Sequence, residues 1–323
     1  MTKSTHKVEV VPVVLEPHPN ADTLSVVRVF GGFTACVRTA DWKPGMLGAY
    51  IPPDSLIDTR RPEFQFLADG KSDMHRIKVK RLRGIVSMGL LIPAPEGSQI
   101  GDDVAEQLGV THYEPPPQIS TGGDNVRPPA GYHPVYDIDN LRRFVHAFRE
   151  GEPVWITEKI HGANGRWCFV DGQMFTGSRT EWKKEAPEVV WWKALEARPE
   201  IREWCQAHPG WTLYGEVYGR VQDLRYGLTG VEIMVFDLLS PEGAWADPAQ
   251  AAELGNGLPW VPLIAQAPFD LARILEYAEG PSLVTGASHV REGCVVKPVN
   301  ERTDPEIGRV ILKVIGNGYL ERA

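Results

Sequence analysis

A segment rich in proline and glycine divides this chain of 323 residues into two parts of different texture. It contains Pro115-Pro116-Pro117 near its start, Gly122-Gly123 in its middle and Pro128-Pro129 near its end. Prolines stiffen a connecting segment and glycines loosen it, so this composition is typical of a linker. We therefore predict one domain over residues 1–113, a linker over 114–131 and a second domain over 132–323.

Short runs of β-branched and aromatic residues, separated by turns, characterise the first part. Gly31-Gly32 indicates a turn between two such runs. The predicted strands cover residues 8–15, 24–30, 33–37, 49–51, 76–79 and 90–92. Several short strands within about a hundred residues favour a small Greek-key β-barrel, and the OB-fold is the first choice.

The second part mixes helices with strands. Leu141, Phe144, Val145 and Phe148 recur at helical spacing after the capping pair Asp139-Asn140. Further helices are predicted over residues 187–197, with a proline at the start, and over 269–278. Strands are predicted over residues 154–156, 166–170, 212–214, 233–238, 294–297 and 310–314. Strands separated by irregular helical insertions favour an α+β layered domain.

Charge and cysteine content narrow the possible functions. The formal net charge of −8 argues against loose coating of nucleic acid, although a local basic stripe could still contact phosphates. The four cysteines are far apart, so neither a zinc cluster nor a disulfide framework is expected. We find no apolar signal segment and no stretch long enough to span a bilayer, and we expect a cytoplasmic protein.

Lys159 is the most informative residue, because it follows a predicted strand within Glu158-Lys159-Ile160-His161-Gly162. A lysine can act as a covalent nucleophile only when it is neutral, so its pKa must be lowered by cations, a metal or desolvation. The adjacent Glu158 would raise that pKa, and we expect its side chain to point elsewhere or to bind a metal. On its own, a lysine in a turn is more often a solvated surface charge.

Five later segments accompany Lys159 in a fixed order, and together the six resemble the motifs of the covalent nucleotidyltransferases. This superfamily includes RNA ligases, DNA ligases and mRNA-capping enzymes. The segments are Lys159-Ile160-His161-Gly162, Gly177-Ser178-Arg179-Thr180, Tyr214-Gly215-Glu216-Val217-Tyr218-Gly219, Val235-Phe236-Asp237-Leu238, Arg291-Glu292-Gly293-Cys294-Val295-Val296-Lys297-Pro298 and Ile311-Leu312-Lys313-Val314. With His161 and Asn164, the first segment is similar to the nick-sealing RNA ligases in particular, because DNA ligases and capping enzymes usually carry Asp in place of His161.

The resemblance implies an ATP-grasp-like nucleotidyltransferase domain and assigns roles within it. The implied catalytic residues are Lys159, His161, Glu216 and Lys313. The implied nucleotide-binding residues are Glu158, Lys159, Asn164, Arg179, Glu216, Phe236, Glu292, Lys297 and Lys313. Glu216 and Glu292 would also hold Mg²⁺ or Mn²⁺.

Several of these assignments have an alternative. Arg179 offers a planar fork suited to phosphate, including that of a nucleic acid, but it could instead form a surface ion pair. Phe236 could stack on adenine, although an aromatic residue in such a strand is more often part of the core. Lys297 and Lys313 would neutralise the triphosphate and lower the pKa of Lys159. The family usually has two lysines one residue apart in its last motif, and isoleucines flank Lys313 at that spacing.

The implied reaction is ATP-dependent ligation of RNA in three steps. Lys159 takes AMP from ATP, AMP passes to a 5′-phosphate, and a 3′-OH then seals the break. A nicked RNA duplex or RNA/DNA hybrid is the implied substrate and RNA repair the implied role, with no obligate protein partner. The sequence ends a few residues after the last motif, so we expect no C-terminal OB domain of the kind found in DNA ligases and capping enzymes. A GTP-dependent capping-type enzyme and a non-catalytic RNA-binding protein remain as alternatives.

The first part also carries a family resemblance. His18-Pro19-Asn20-Ala21-Asp22 with Leu24, and Arg83-Gly84-Ile85-Val86-Ser87-Met88-Gly89, are similar to segments of tRNA-binding OB domains. Alternation along a strand would place Arg76, Lys78 and Lys80 on one face. Because OB barrels commonly bind single strands in a basic groove, these three residues are candidate RNA contacts. A solvated strand face is the alternative.

Overall fold

The computed structural model describes residues 6–70, 72–113 and 124–322. The chain divides into two compact units: Met1–Pro116 with Leu141–Val145 and Leu320–Ala323, and Pro117–Asn140 with His146–Tyr319. Most of the predicted linker, residues 114–123, lies outside the described residues. In the described part of the chain no helix is both long and apolar enough to cross a membrane.

The first unit is built from short strands. They are β1 (Glu9–Pro12), β2 (Glu16–Pro17), β3 (Leu24–Val29), β4 (Phe33–Arg38), β5 (Leu47–Ile51), β6 (Ser55–Asp58), β7 (Met74–Arg76), β8 (Lys80–Leu82), β9 (Ile85–Ser87), β10 (Leu90–Pro93) and β11 (Thr111–His112). They are accompanied by a short helix, α1 (Ala105–Leu108), and by 3₁₀ turns at Thr39–Asp41 and Pro62–Leu67. The strands pair antiparallel in the orders β1-β5-β10, β2-β3-β4, β11-β6-β7 and β8-β9. Alternate residues point inward, and the apolar ones form two buried clusters centred on β5, one around Ile51 and one around Tyr50.

The predicted strand over residues 76–79 is wrong in its extent. β7 ends at Arg76 and pairs with β6, whereas β8 starts at Lys80 and pairs with β9. The expected alternation of burial nevertheless holds, because Ile77 and Val79 are buried and Lys78 and Lys80 are exposed. Arg76 departs from the prediction, since its guanidinium is half-buried and lies 2.6 Å from a carboxylate oxygen of Asp54.

The second unit contains longer strands and most of the helices. Its strands are β12 (Asp139–Asn140), β13 (Pro153–Lys159), β14 (Ala163–Val170), β15 (Gln173–Ser178), β16 (Trp182–Lys183), β17 (Thr212–Gly219), β18 (Val231–Leu239), β19 (Leu263–Pro268), β20 (Gly293–Pro298), β21 (Thr303–Asp304), β22 (Gly308–Arg309) and β23 (Leu312–Ile315). Its helices are α2 (Val190–Ala197), α3 (Pro199–Ala207), α4 (Pro248–Leu254), α5 (Leu271–Tyr277) and α6 (Asn317–Arg322), the last of which ends in the first unit. The predicted α+β composition is confirmed.

Two five-stranded sheets form the frame of the second unit. One has the order β12-β23-β20-β13-β19 and the other β16-β15-β14-β17-β18. The second sheet buries one face against α2 and α3 in a cluster that includes Trp167, Leu213 and Val235. The residues that alternate with these three therefore point to the opposite face of that sheet.

The predicted helix over residues 141–148 is wrong. Leu141–Val145 forms a turn that belongs to the first unit, and only a short 3₁₀ turn, Val145–Ala147, follows. The apolar residues are buried as expected, but Leu141 and Phe148 are buried in different units. The apolar residues that recur at helical spacing are therefore buried in two separate cores and do not form one face of a helix.

A close approach between strands requires a glycine at position 293. A Cβ there would lie 1.9 Å from the carbonyl oxygen of Val314 in β23. We expect Gly293→Ala to lower the free energy of unfolding by about 1–3 kcal/mol, as in other overpacked cores. Urea denaturation measures this change, and Gly230→Ala is the control because a Cβ at Gly230 meets nothing within 4 Å. Equal stabilities of the two variants would contradict the prediction.

Candidate active site

Lys159 lies at the end of β13, on the face of its sheet that carries two other lysines. In the strand register Lys159 is opposite Gly293, Thr157 is opposite Val295, and Val295 is opposite Lys313. Directly opposed residues share a face, so Lys159 and Lys313 point the same way. Lys297 joins them, because it is opposite Trp155, two positions before Thr157.

The Lys159 amine is paired with a carboxylate. Its Nζ donates to Oε2 of Glu292 over 2.8 Å, and the two side chains are 21% and 10% exposed. Burial, the largest effect, lowers the pKa of Lys159, but the charges of Glu292 and Glu216 outweigh it and raise that pKa. The net shift is therefore upward, opposite to the lowered pKa that Lys297 and Lys313 were expected to produce, because the charges of two carboxylates act on the same amine.

The two carboxylates beside Lys159 differ in their pKa values. Burial raises the pKa of Glu216 to about 7, with Lys159 opposing the shift. Burial also acts to raise the pKa of Glu292, but Lys159 and His161 reverse this effect and lower that pKa to about 2. Two neighbouring carboxylates with separated pKa values are typical of a functional site.

The oxygen atoms near Lys159 fit a hard divalent cation. Asn164 is opposite Glu216 in the register of β14 and β17, so their side chains share a face. The Asn164 Oδ1 is buried and has no hydrogen-bond partner among the described residues. No group of three or more His, Cys, Asp or Glu side chains gathers there within the described ranges. Glu216 and Glu292 give two carboxylates, which suits Mg²⁺ shared with substrate phosphates and water.

The turn after Lys159 is held by the loop between β17 and β18. Gly162 is required there, since a Cβ would lie 2.1 Å from the carbonyl oxygen of Val217. The side-chain amide of Gln222 donates to the carbonyl of Gly162. The backbone N–H of His161 donates to the hydroxyl of Tyr226 over 2.7 Å.

The His161 ring lies between acidic groups. Its Nε2 is 2.8 Å from Oδ1 of Asp223, and its Nδ1 is 3.5 Å from Oε2 of Glu292. The hydroxyl of Tyr319 lies 3.3 Å from Nδ1. Burial, the largest effect, lowers the pKa of His161, but Glu292 and Asp223 raise it above its ordinary value. The sequence did not indicate Asp223 and Tyr226, because their approach to His161 depends on the path of a loop.

Glu158 points away from the amine beside it, as expected. Its carboxylate accepts a hydrogen bond from the Ser282 hydroxyl over 2.5 Å and from the Leu283 backbone N–H over 2.6 Å. The side chain is 1% exposed. Glu158 therefore fixes the loop that precedes Glu292, and its predicted contact with the nucleotide remains a prediction.

Lys297 belongs to a buried ionic cluster around Asp237. The Asp237 Oδ2 lies 2.7 Å from Nζ of Lys297, 2.7 Å from Arg309 and 2.6 Å from the hydroxyl of Tyr136. Lys297 also donates to the carbonyl of Phe236 over 3.2 Å. Burial lowers the pKa of Lys297, and Asp237 opposes the shift.

A bulge in β18 explains why Asp237 was missed. Tyr214 is opposite Asp237, whereas the next residue of β17, Gly215, is opposite Val235, so Phe236 is the extra residue. Strict alternation would place Phe236 and Asp237 on opposite faces, but a bulge re-aims side chains. Both Phe236 and Asp237 consequently face away from the helices. Phe236 is half-buried, with its ring centroid 4.7 Å from that of Tyr136.

Lys313 and Arg179 have different surroundings. Burial and the like charge of Lys159 lower the pKa of Lys313, against the opposing pull of nearby carboxylates. Arg179 forms an exposed ion pair with Asp137 over 2.9 Å, as its alternative interpretation predicted. The structure thus brings Lys159, His161, Glu216, Glu292 and Lys313 together through mutual contacts or charge interactions. Arg179 is paired with Asp137, whose charge also acts on Lys313.

Comparison with known proteins agrees with this geometry. A family model described as RNA ligase matches residues 152–315, which are 164 of the 323 residues, and a model described as an OB-fold domain matches residues 6–94. No curated protein sequence matches the chain significantly.

The solved structures that resemble this chain include several of Naegleria gruberi RNA ligase. The structure with pyrophosphate is 25% identical, with a TM-score of 0.81 over 98% of both chains. A variant with ATP and Mn is 26% identical, with a TM-score of 0.80 over 98% of this chain and 99% of that one. Another variant with AMP and Mn, 24% identical, has a TM-score of 0.82 over 98% and 99%. The predicted OB-fold followed by a nucleotidyltransferase domain is confirmed, and the match across residues 152–315 shows that the chain belongs to the RNA ligase family.

Proposed function

We propose that this protein is an ATP-dependent ligase that joins a 3′-OH to a 5′-phosphate in RNA through a lysyl-AMP on Lys159. One observation carries the proposal. A partly buried lysine amine lies 2.8 Å from the Glu292 carboxylate and interacts with the charges of Glu216 and Lys313. A surface lysine would have no such surroundings, so the solvated alternative does not apply to Lys159.

In the first step the Lys159 nitrogen attacks the α-phosphorus of ATP. The ammonium group first loses a proton to water, because only the neutral amine can attack. A phosphorus–nitrogen bond then forms, the bond to pyrophosphate breaks, and water takes the excess proton that remains on the nitrogen. Glu292 holds the amine in place through their hydrogen bond. Lys313 and Lys297 face the same side of the sheet, where their charges can stabilise the phosphates in the transition state.

Glu216 and Glu292 would hold Mg²⁺ or Mn²⁺, in keeping with the metal recorded in the Naegleria gruberi structures. When bound, the metal supplies positive charge that opposes the effect of the two carboxylates on the Lys159 amine. Asn164 offers a further buried oxygen beside Glu216. Phe236 would contact the adenine, and Arg179 would exchange Asp137 for a phosphate.

The later steps transfer AMP to the 5′-phosphate of one RNA end and release it when the 3′-OH of the other end attacks. His161, fixed by Asp223 and Tyr226, is placed to position a strand end beside Lys159. We propose a nicked duplex, either RNA or an RNA/DNA hybrid, as substrate and RNA repair as the role. The domain boundaries 1–113 and 132–323 belong to the same proposal.

Two alternatives predict different chemistry at this site. A capping-type enzyme would take GTP, and a non-catalytic RNA-binding protein would take neither nucleotide. The intact set of Lys159, Glu216, Glu292 and Lys313 opposes the second alternative, because burying charges without a role is costly. His161 in place of the usual Asp opposes the first.

Labelled nucleotides distinguish these possibilities. The protein is incubated with Mg²⁺ and either ATP or GTP labelled at the α-phosphate, denatured, and separated by electrophoresis. We expect label on the polypeptide from ATP only, and we expect subsequent addition of a nicked duplex to move the label to a 5′ end. Label from GTP alone would favour capping, and no label from either would refute the proposed ligase.

A further inference from the structure

The OB unit carries a basic segment that the adenylation site does not use. No acidic residue occurs between Asp73 and Glu96, whereas five arginines and lysines do, in a chain of net charge −8. Two of the five are neutralised: Arg76 by Asp54 over 2.6 Å, and Arg81 by Glu321 over 2.5 Å. The remaining three, Lys78, Lys80 and Arg83, are exposed and have no ion-pair partner in the described part of the chain.

Arg83 occupies an unusual backbone position. It forms with Gly84 the two-residue turn between β8 and β9, and the φ angles of the two residues are +47° and +93°. Positive φ at both central residues is the pattern of a type I′ turn, where Asn-Gly or Gly-Gly is preferred. A long side chain at positive φ costs stability, and such positions persist where the surroundings enforce them.

Two residues of the His18–Asp22 motif enforce this turn. The buried His18 lies with Nε2 3.1 Å from the carbonyl of Leu82, and the side-chain amide of Asn20 donates to the carbonyl of Arg83 over 2.9 Å. The backbone N–H of Asn20 donates to Nδ1 of His18 over 3.1 Å. Nδ1 is therefore an acceptor, which leaves Nε2 as the donor to Leu82. The motif thus clamps both carbonyls at the start of the turn.

From these contacts we infer that Lys78, Lys80 and the clamped Arg83 form a binding surface for the phosphate backbone of an RNA strand. Three unpaired cations close together on the chain are the electrostatic footprint of phosphate recognition. The clamp reduces the number of conformations of the Arg83 backbone, so less entropy is lost when its guanidinium meets a phosphate. This inference rests on the proposed RNA substrate. Among the candidate RNA contacts it includes Arg83 and leaves out Arg76, because Arg76 is already paired with Asp54.

The salt dependence of RNA affinity measures how many phosphate contacts this surface makes. Each phosphate contact with a single strand contributes about 0.7 to the slope of log affinity against log salt. The full chain is titrated without ATP against fluorescein-labelled oligouridylate RNA between about 50 and 200 mM salt. Combined alanine substitution of Lys78, Lys80 and Arg83 is expected to reduce the slope by about 2 and the affinity on the order of tenfold.

A charge-matched control separates local contacts from net charge. Replacing the exposed Arg28, Lys43 and Arg60 by alanine removes the same charge from the same unit and is expected to leave the slope near that of the wild type. Asn20→Ala keeps every charge but loosens the turn, so it is expected to weaken binding several-fold. Equal salt slopes for the two triple variants would contradict the proposal that Lys78, Lys80 and Arg83 bind RNA phosphates. Wild-type RNA affinity of Asn20→Ala would contradict the proposal that the clamped turn contributes to binding.

This test is independent of adenylation. Binding is measured without nucleotide, whereas label on Lys159 requires no RNA. Normal label with unaltered RNA binding in the triple variant would refute only the surface. Absence of label together with a reduced salt slope would refute only the proposed ligase.

Discussion

Lys159→Arg is expected to abolish formation of the labelled polypeptide from ATP while the fold remains intact. Arginine keeps the positive charge and can still pair with Glu292, but a guanidinium is not deprotonated in proteins and cannot act as the nucleophile. Removal of a nucleophile in other enzymes lowers the rate by a factor on the order of 10⁶. We therefore expect labelling below the detection limit of the assay.

Arginine tests the chemistry more cleanly than alanine. In Lys159→Ala the Glu292 side chain, which is 10% exposed, would lose its partner and destabilise the site. Unfolding of Lys159→Arg is followed by circular dichroism to confirm that the fold persists. The control is Lys184→Arg, since Lys184 is 64% exposed and its ion pair with Asp124 is long, at 3.5 Å. Persistent label on Lys159→Arg would show that another residue carries the nucleotide.

The sequence motifs predicted the centre of this site because the reacting groups lie on or beside strands. Lys159, Glu216 and Lys313 occupy strands whose apolar pattern is regular, so their faces follow from alternation. Glu292 directly precedes a strand, and its carboxylate lies 2.8 Å from the Lys159 amine. The resemblance to the nucleotidyltransferase motifs, and not periodicity alone, singled out these four residues.

Contacts that depend on irregular backbone were not predicted. Asp237 reaches Lys297 through a bulge, and Asp223 reaches His161 through a loop, and neither geometry follows from spacing. The helix predicted at Leu141 does not form. The spacing of apolar residues indicates that they are buried, but it does not indicate in which of the two units each one is buried. The pKa of Lys159 was predicted in the wrong direction because the sequence showed its cationic neighbours but not the distance to Glu292.

Asp237→Asn is expected to lower the free energy of unfolding by about 3–5 kcal/mol, the usual cost of removing one partner from a buried ion pair. Asp237 is fully buried and pairs with both Lys297 and Arg309, of which Arg309 also pairs with Glu301. Asparagine fills the same space, so the change removes charge rather than volume. Urea denaturation at neutral pH measures the difference. Asp137→Asn is the matched control, since its ion pair with Arg179 is half-exposed and is expected to contribute less than about 1 kcal/mol.

The pKa of Asp237 predicts how the stability difference between the wild type and Asp237→Asn changes with pH. Burial acts to raise the pKa of Asp237, but Arg309 and Lys297 outweigh it and lower that pKa in the folded protein. A carboxyl group with a lowered folded-state pKa stabilises the protein above its unfolded pKa, near 3.9, and loses this contribution as the pH falls through the folded value. The stability difference between the wild type and Asp237→Asn should therefore be constant from about pH 5 to 7 and narrow below about pH 4. A difference that widened in acid would mean that Asp237 is protonated in the folded protein, and the charge of Lys297 would then need another partner.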